Sequence, residues 1–467
     1  MSGDSQKRHP EVAGTGRRRF LQLFGTGVGL VAVGRASATD PARSPSIRPI
    51  FSYPTADGSG DDRHEGVLLG LLERAVQGAA VHCSLFTLTR ERIARAFIAA
   101  VERGVDVNVL LDERGIQRAA SQRVLDELPD RAAVAEDGGV GDRHNHNKFL
   151  TVEELDSGDQ HVVWQSSSNM TAAQLHKYNA SVIVRNDQPL YEAYRSYWAD
   201  LAAGSQNLSY NRTEVGESAT VYFSPRDDFD THVRALQDIV PTYETDVHFM
   251  QSIWTDSRES ESDLIDRLAE LIEEGADVHV LVQDGDEVLD SLRDAGADVV
   301  PYPSRDVGVH SKYMLVESDF ETGDGTTERR REVWTGSQNL SRPGLRRNDE
   351  ALLRFVDDYV YGEFLDDWER VHRQARRIAD EVESVNTDVD ELESTRTDAD
   401  RAPSAPATER VKGARSTDAQ MGTANVADEN QVPGGRGRLF GLLALVAGST
   451  AGVSYAVHRR LRSSENQ

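Results

Sequence analysis

The 467-residue sequence contains one cysteine, Cys83, and therefore no internal disulfide framework. Cys83 lies in AAVHCSLFTLT, an apolar stretch that reads as a buried strand in which a thiol packs without reacting. Lysine is nearly as scarce. Of 52 Lys and Arg residues only five are lysine (Lys7, Lys148, Lys177, Lys312, Lys412), against 78 Asp and Glu and a formal net charge of −26. So acidic a chain with so little lysine fits work in very high salt, where the Debye length shrinks to roughly 3 Å at 1 M and self-repulsion costs little. An ordinary acidic exported protein is the other reading. No glycine-rich loop follows a first strand, which excludes the phosphate cradle of a doubly wound nucleotide-binding sheet. Two of the five lysines occupy one repeated motif, where a compact, flexible point charge has a task.

That motif is HNKFLTVE, with His146, Lys148 and Glu153, and again HSKYMLVE, with His310, Lys312 and Glu317. The repetition extends well beyond it. IFSYP matches VYFSP, VHCSLFTLT matches VHFMQSIWT, RGVDVNVLLDE matches EGADVHVLVQD, and WQSSSNMT matches WTGSQNLS. Residues 47–205 and 218–375 are thus two copies of one unit, joined by a connector at 206–217. Each copy alternates amphipathic helical periodicity with short apolar strands, an α/β pattern. From the motif lysine to the Asn of the next motif is 21 residues in the first copy and 27 in the second. The excess falls in SDFETGDGTTERRRE, read as a surface loop.

The ends carry an address. Arg17 and Arg18 precede Arg19-Phe20-Leu21, a short apolar run and Ala36-Ser37-Ala38, so residues 1–38 read as a secretion signal of twin-arginine type. Leu439 to Val457 is uncharged over 19 residues, long enough to span a bilayer, and Arg459, Arg460 and Arg462 follow it. Residues 438–458 are therefore expected to cross the membrane, with a cytoplasmic tail at 459–467 and the body outside the cell. Residues 376–437, acidic and poor in apolar side chains, read as a disordered stalk. Asn207 and Asn211 in the connector are acceptable glycosylation acceptors in an exported chain.

Strand alternation places the His and Lys of each motif on one face. The segments SSSNMT and GSQNLS then offer Ser167 with Asn169 and Ser337 with Asn339 at strand ends. Brought together, the copies supply two imidazoles, two ammonium groups, two hydroxyls and two amides, with neither a carboxylate nor a thiol nucleophile. This is a phosphate-handling set, in which lysines neutralise nonbridging oxygens while Ser and Asn donate hydrogen bonds. One imidazole can attack phosphorus and the other can protonate the leaving oxygen. A metal reading exists in His144-x-His146 with Asp142 nearby. The second copy, however, has Gly308 where the first has His144, and keeps only the H-x-K pair, so no metal is expected.

H-x-K-x-x-x-x-D followed by G-S-x-N marks the phospholipase D superfamily, which residues 47 to 375 resemble. The resemblance implies two α-β-α sandwich halves packed as a pseudo-dimer, an active site at their interface, and a phosphohistidine route without a cofactor. This chain departs from the pattern in having Glu153 and Glu317 for the usual, mainly structural, aspartates, and Ser166 for the first glycine. A further family acid follows the second-copy serine by 13 residues, where Glu350 stands; at the constant offset of 170 its first-copy counterpart is Ala180. In related two-copy enzymes the acid of one half orients the histidine of the other. Glu350 would then hold His146, making His146 the nucleophile and His310 the general acid and then base. Alternatively Asn179 or water orients His310 and the roles reverse.

Members of the superfamily cleave phospholipids, transfer phosphatidyl groups or cut nucleic acid. The expected activity is that of a membrane-anchored, extracellular phosphodiesterase or phosphatidyltransferase acting on phospholipid as a single chain. An extracellular nuclease and a non-catalytic phosphate-binding module are the alternatives, and strong acidity disfavours nucleic acid because backbone binding relies on basic surface.

Overall fold

The computed structural model describes residues 43–55, 59–255, 262–285, 287–303 and 306–399. The signal at 1–38, the remainder of the stalk, the apolar segment at 438–458 and the tail lie outside the described residues. No described helix is long and apolar enough to cross a membrane.

The first copy runs β1 (Ser46–Phe51), α1 (Arg63–Arg74), β2 (Ala80–Leu85), α2 (Glu91–Glu102), β3 (Asp106–Asp112), α3 (Ala119–Glu127), β4 (Ala132–Ala135), β5 (Lys148–Glu154), β6 (Gln160–Ser166), β7 (Lys177–Tyr178), β8 (Ala180–Arg185) and α4 (Gln188–Ala203). After β9 (Thr213–Val215) in the connector, the second runs β10 (Thr220–Ser224), α5 (Thr231–Gln237), β11 (Ile239–Val240), β12 (Asp246–Trp254), α6 (Ser262–Glu273), β13 (Asp277–Gly285), α7 (Glu287–Ala295), β14 (Asp298–Pro301), β15 (Gly308–Val309), β16 (Lys312–Glu321), β17 (Thr327–Gly336), α8 (Arg342–Arg346), β18 (Glu350–Val356) and α9 (Asp358–Ala399).

The sheets repeat as the sequence does. The first has the order β1-β8-β6-β5-β2-β3-β4, and the second, read from β10, is β10-β18-β17-β16-β12-β13-β14 with β9 added at its edge. In each, three parallel strands joined through helices (β2, β3, β4 and β12, β13, β14) continue into antiparallel strands. The parallel strands are apolar runs because helices cover one face and the last helix of the same half, α4 or α9, covers the other.

Three cores follow from these layers. One packs α1–α3 on the first sheet, through Leu68, Phe97, Val124 and Trp164. Another packs α5–α7 on the second sheet, through Leu236, Leu268, Leu292 and Trp334. The third lies between the sheets, where α4 and α9 contribute Tyr194, Tyr197, Leu201, Phe364 and Val371 to both inner faces. Spacings of three and four residues put these side chains on one stripe of each helix. The two helices anchor alike: Trp198 Nε1 donates to the Cys83 carbonyl at 2.9 Å and Trp368 Nε1 to the Phe249 carbonyl at 3.0 Å. Cys83 is fully buried and its thiol is pushed well above its ordinary value by burial, which leaves it as packing.

Two boundaries differ from the sequence reading. The inserted segment before the second serine is chiefly a long hairpin, with only Thr322–Thr326 as its turn. Its polar residues read as loop, but they pair across strands, Glu317 opposite Arg331 and Asp319 opposite Arg329. The stretch read as stalk from 376 begins as helix, since α9 continues to Ala399. No Pro or Gly interrupts the sequence between Gly362 and Pro403. Arg376 binds Asp298 at 2.6 and 2.7 Å, and Ile378 still packs on the central core.

Candidate active site

Both motifs lie where one half meets the other. β5 and β16 begin at Lys148 and Lys312, so each histidine sits on the extended segment just before a central strand. Each is tied across the interface by its own backbone. His146 N–H donates to the Asp349 carbonyl at 3.0 Å, and His310 N–H donates to the Tyr178 carbonyl at 2.8 Å. Asn145 forms a bridge with Asp349, while β15 pairs with β7. The residue that follows each of those carbonyls faces the histidine.

Behind His146 stands Glu350. Its carboxylate receives His146 Nδ1 at 2.8 and 3.0 Å, the Ser337 hydroxyl at 2.5 Å and the Asn348 amide at 3.2 Å. Behind His310 stands Asn179, whose Oδ1 lies 3.2 Å from His310 Nδ1 and also accepts from the Ser167 hydroxyl at 3.1 Å. Asn179 Nδ2 donates to the carbonyls of Lys177 (3.2 Å) and Gln174 (3.4 Å), which turns Oδ1 toward the imidazole. The arrangement is two-fold except in charge, with a carboxylate serving one histidine and a neutral amide the other.

This geometry corrects the alignment with Ala180. Ser166 pairs with Ser181 across β6 and β8, while Gly336 pairs with Leu352 across β17 and β18. The second half therefore carries one extra residue before β18, so that Ala180 corresponds to Ala351 and Asn179 to Glu350. Ser167 N–H donates to the Ala180 carbonyl and Ser337 N–H to the Ala351 carbonyl, in agreement.

The lysines converge with the histidines. Lys148 Nζ donates to the His146 carbonyl, and Lys312 Nζ to the His310 carbonyl at 2.7 Å. Burial, then the positive field of Lys148 and Lys312, holds His146 well below its ordinary value. Burial and the same two lysines do so for His310. Lys312 is also held well down, by burial and then by Lys148. Burial pulls Lys148 from 10.5 to about 7, against Glu350 and Asp112. Burial pushes the Glu350 carboxyl up, opposed by Lys148 and by the Ser337 and Asn348 hydrogen bonds. Burial and mutual repulsion thus disfavour the cationic forms of both imidazoles and both lysines, a bias that a bound anion would offset.

Other residues take different places. Ser167 and Ser337 spend their hydroxyl protons on Asn179 and Glu350, so they steady the orienting groups; donation to phosphate is not what this geometry offers. Asn169 and Asn339 are half-buried at the strand ends, each with a buried Oδ1 that has no partner among the described residues. Glu153 lies at the far end of β5, where it accepts from Ala80 N–H at 2.9 Å; Glu317 lies equivalently on β16 and binds Arg329 and Arg331. Gly336 is required in the second half, because a Cβ there would come within 2.1 Å of the Ala351 carbonyl oxygen. Asp142 is engaged by Arg347 through two 2.8 Å bonds.

Several contributors carry no motif. The Phe86 ring lies 4.8 Å from His146 and 5.1 Å from Lys148 Nζ. The Asp349 carboxylate binds the backbone N–H groups of Gly139, Val140 and Gly141, drawing the loop before His146 onto the other half. The glycines of that loop have no room for a side chain: a Cβ at Gly141 would fall 2.2 Å from the Arg347 carbonyl oxygen. Lys177 adds its positive field to His310 and Lys312, so three of the five lysines act at this interface. Lysine scarcity was the signal that could have found it.

No curated protein sequence matches the chain significantly. Among solved structures, the phosphatidylserine synthase of Haemophilus influenzae Rd KW20 is 14% identical, with 71% of this chain and 86% of that one covered and a TM-score of 0.49. Nuc from Salmonella typhimurium, titled a phospholipase D family member, is 21% identical, with 35% of this chain and 97% of that one covered and a TM-score of 0.28. The family model described as cardiolipin synthase, PLD-like domain, matches residues 68–202 and 244–372, once in each half and more than half of the chain in all. With one H-x-K pair in each matched segment, the chain belongs to this family of phospholipase D-like domains.

Proposed function

We propose that the protein is a phosphodiesterase or phosphatidyltransferase that acts on phospholipid through a phosphohistidine formed at the interface of its halves. The observation that carries this is the pairing of each H-x-K histidine with a residue of the other half, Glu350 behind His146 and Asn179 behind His310. With Nδ1 engaged by Glu350, His146 keeps its other nitrogen for phosphorus. The P–N bond forms as the P–O bond to the leaving alcohol breaks, and His310, cationic once the bound phosphate anion offsets the lysine field that holds its own value down, gives that oxygen a proton. His310 then takes a proton from water or an acceptor alcohol, whose oxygen displaces the histidine. Lys148 and Lys312 balance the nonbridging oxygens throughout. Asn169 and Asn339 are proposed to donate to the same phosphate.

A lipid is the preferred substrate because the family model that matches both halves is described as cardiolipin synthase; the net charge of −26 opposes a nucleic acid backbone only where salt is low. The two sequence ends support an exported body tethered by residues 438–458. Protease added to intact cells then releases the body, and a protected body with an accessible tail reverses this topology.

The substrate test presents the full-length chain, in molar salt, with phospholipid vesicles and with single-stranded and duplex DNA. Head-group release or transfer is expected, with DNA left intact. Cleavage of DNA alone makes the protein a nuclease, and turnover of neither makes it a binding module. The pH dependence has a definite sign. A bound phosphodiester anion favours the ammonium form of Lys148, whose value in the free site is about 7. Affinity is therefore full below that pH and is lost as pH rises through it, so KM climbs above about pH 7.

A further inference from the structure

Away from the catalytic interface, one group of side chains has metal-ligand chemistry and no task in the reaction. Asp246 and His248 are two residues apart on β12 and share a face. On the parallel neighbour β13, His279 lies in register with His248. The donor atoms converge. His248 Nδ1 is 3.3 Å from Asp246 Oδ1, His279 Nε2 is 3.7 Å from the same oxygen, and the three atoms lie within 4.8 Å of one another. Asp246 Oδ1 and His248 Nδ1 are buried, and among the described residues neither has a hydrogen-bond partner of ordinary geometry. At 3.3 Å the two atoms can satisfy each other only when Nδ1 carries a proton, and a cation between them is the other way to pair both.

Tetrahedral zinc, with bonds of about 2.0–2.2 Å, holds its donors roughly 3.3–3.5 Å apart, close to the 3.3 and 3.7 Å that separate Asp246 Oδ1 from the two histidine nitrogens. Two imidazoles and a carboxylate also suit zinc by donor type. The surroundings hold the ligands in place. The other His279 nitrogen faces Asp298 at 3.6 Å, the outer carboxylate that commonly accompanies a metal-bound histidine. Asp298 is in turn fixed by Arg376. The two rings lie nearly parallel, with centroids 4.8 Å apart and planes inclined by 17°, so one ring must turn about its Cβ–Cγ bond for both nitrogens to aim at one ion; Trp368 meets His248 edge-on at 4.5 Å. Asp246 is flanked in the sheet by Asp277 and Glu317, which deepen the negative field.

We propose that Asp246, His248 and His279 form a zinc(II) site with a fourth position open to water, clamping β12 to β13. The site is separate from the phosphodiester chemistry. Along β12, Gln251 is the residue opposite Lys312 and Asp246 the one opposite Glu317, a separation of about 16 Å at the rise of a strand.

The test uses the full-length chain without a histidine tag, stripped with EDTA and titrated with zinc below its unfolding temperature. One tight equivalent per chain and a raised thermal midpoint are expected. Asp246→Asn and His279→Gln should each weaken binding at least about 100-fold and remove the thermal shift. Asp298→Asn should weaken it by about 10–100-fold, as loss of an outer partner does. Turnover of phospholipid should be the same with and without zinc. Equal zinc binding by the wild type and His279→Gln overturns the proposal. So does loss of turnover together with one zinc equivalent, which would move the metal to His144 and His146.

Discussion

His146→Ala and His310→Ala each abolish turnover, by on the order of 10⁴-fold or more for the nucleophile and about 10²–10⁴-fold for the proton donor. The expectation follows from the division of labour at the interface. Neither imidazole can stand in for the other, because each is fixed from behind by a different residue of the opposite half: His146 by Glu350 and His310 by Asn179. Alanine at His146 also leaves Glu350 buried with one donor fewer, so the fold must be checked independently. Circular dichroism and retained binding of phospholipid vesicles provide that check, and His146→Gln, which keeps a polar group beside Glu350, repeats the test with less disturbance. The two histidines act as a unit, so the double variant should be hardly worse than His146→Ala alone. Either single variant keeping activity within about tenfold of wild type ends the two-histidine mechanism.

Most of what made this site legible is local. The H-x-K spacing, the strand that follows it, and the Ser and Asn at the next strand end are contiguous, and their repetition separates them from chance. The partners across the interface are not contiguous. Asp349, Asn348 and Lys177 reach the site through pairing between halves, which no periodicity reports. The misalignment of Ala180 has a physical source. Residues 172–176 form a 3-10 turn in the first half, whereas Arg342–Arg346 form a helical turn in the second, and one extra residue enters before β18. A constant offset cannot register that insertion, although the fold absorbs it completely. The hairpin at Thr322–Thr326 and the extension of α9 were obscured for a related reason. Their residues are polar and read as surface, yet cross-strand charge pairs and an uninterrupted helix backbone supply the order. In the zinc proposal, Asp246 and His248 can be read as neighbours on a strand, but His279 joins them only through parallel register.

Glu350→Gln should slow formation of the covalent adduct by about 10²–10⁴-fold while changing its breakdown far less, and the adduct should map to His146. The pair is buried, with His146 Nδ1 2.8 Å from the carboxylate. As the imidazole attacks phosphorus it becomes cationic, and in a site already holding Lys148 and Lys312 that charge is stabilised mainly by Glu350. Glutamine keeps the shape and an acceptor oxygen but loses the countercharge, so the cost falls on the step that creates the cation. Breakdown discharges it, and there the missing carboxylate hinders little. Asn179 supplies the internal comparison, since it presents a neutral amide to His310 Nδ1 at 3.2 Å, with Lys312 Nζ equally close, an arrangement that gives His310 no carboxylate with which to hold a permanent cation. Rapid quenching during turnover, followed by mass spectrometry under basic conditions that preserve phosphohistidine, reads both the position and the rate. An adduct on His310, or equal slowing of both steps by Glu350→Gln, reverses the roles of the two histidines and leaves the shared interface site standing.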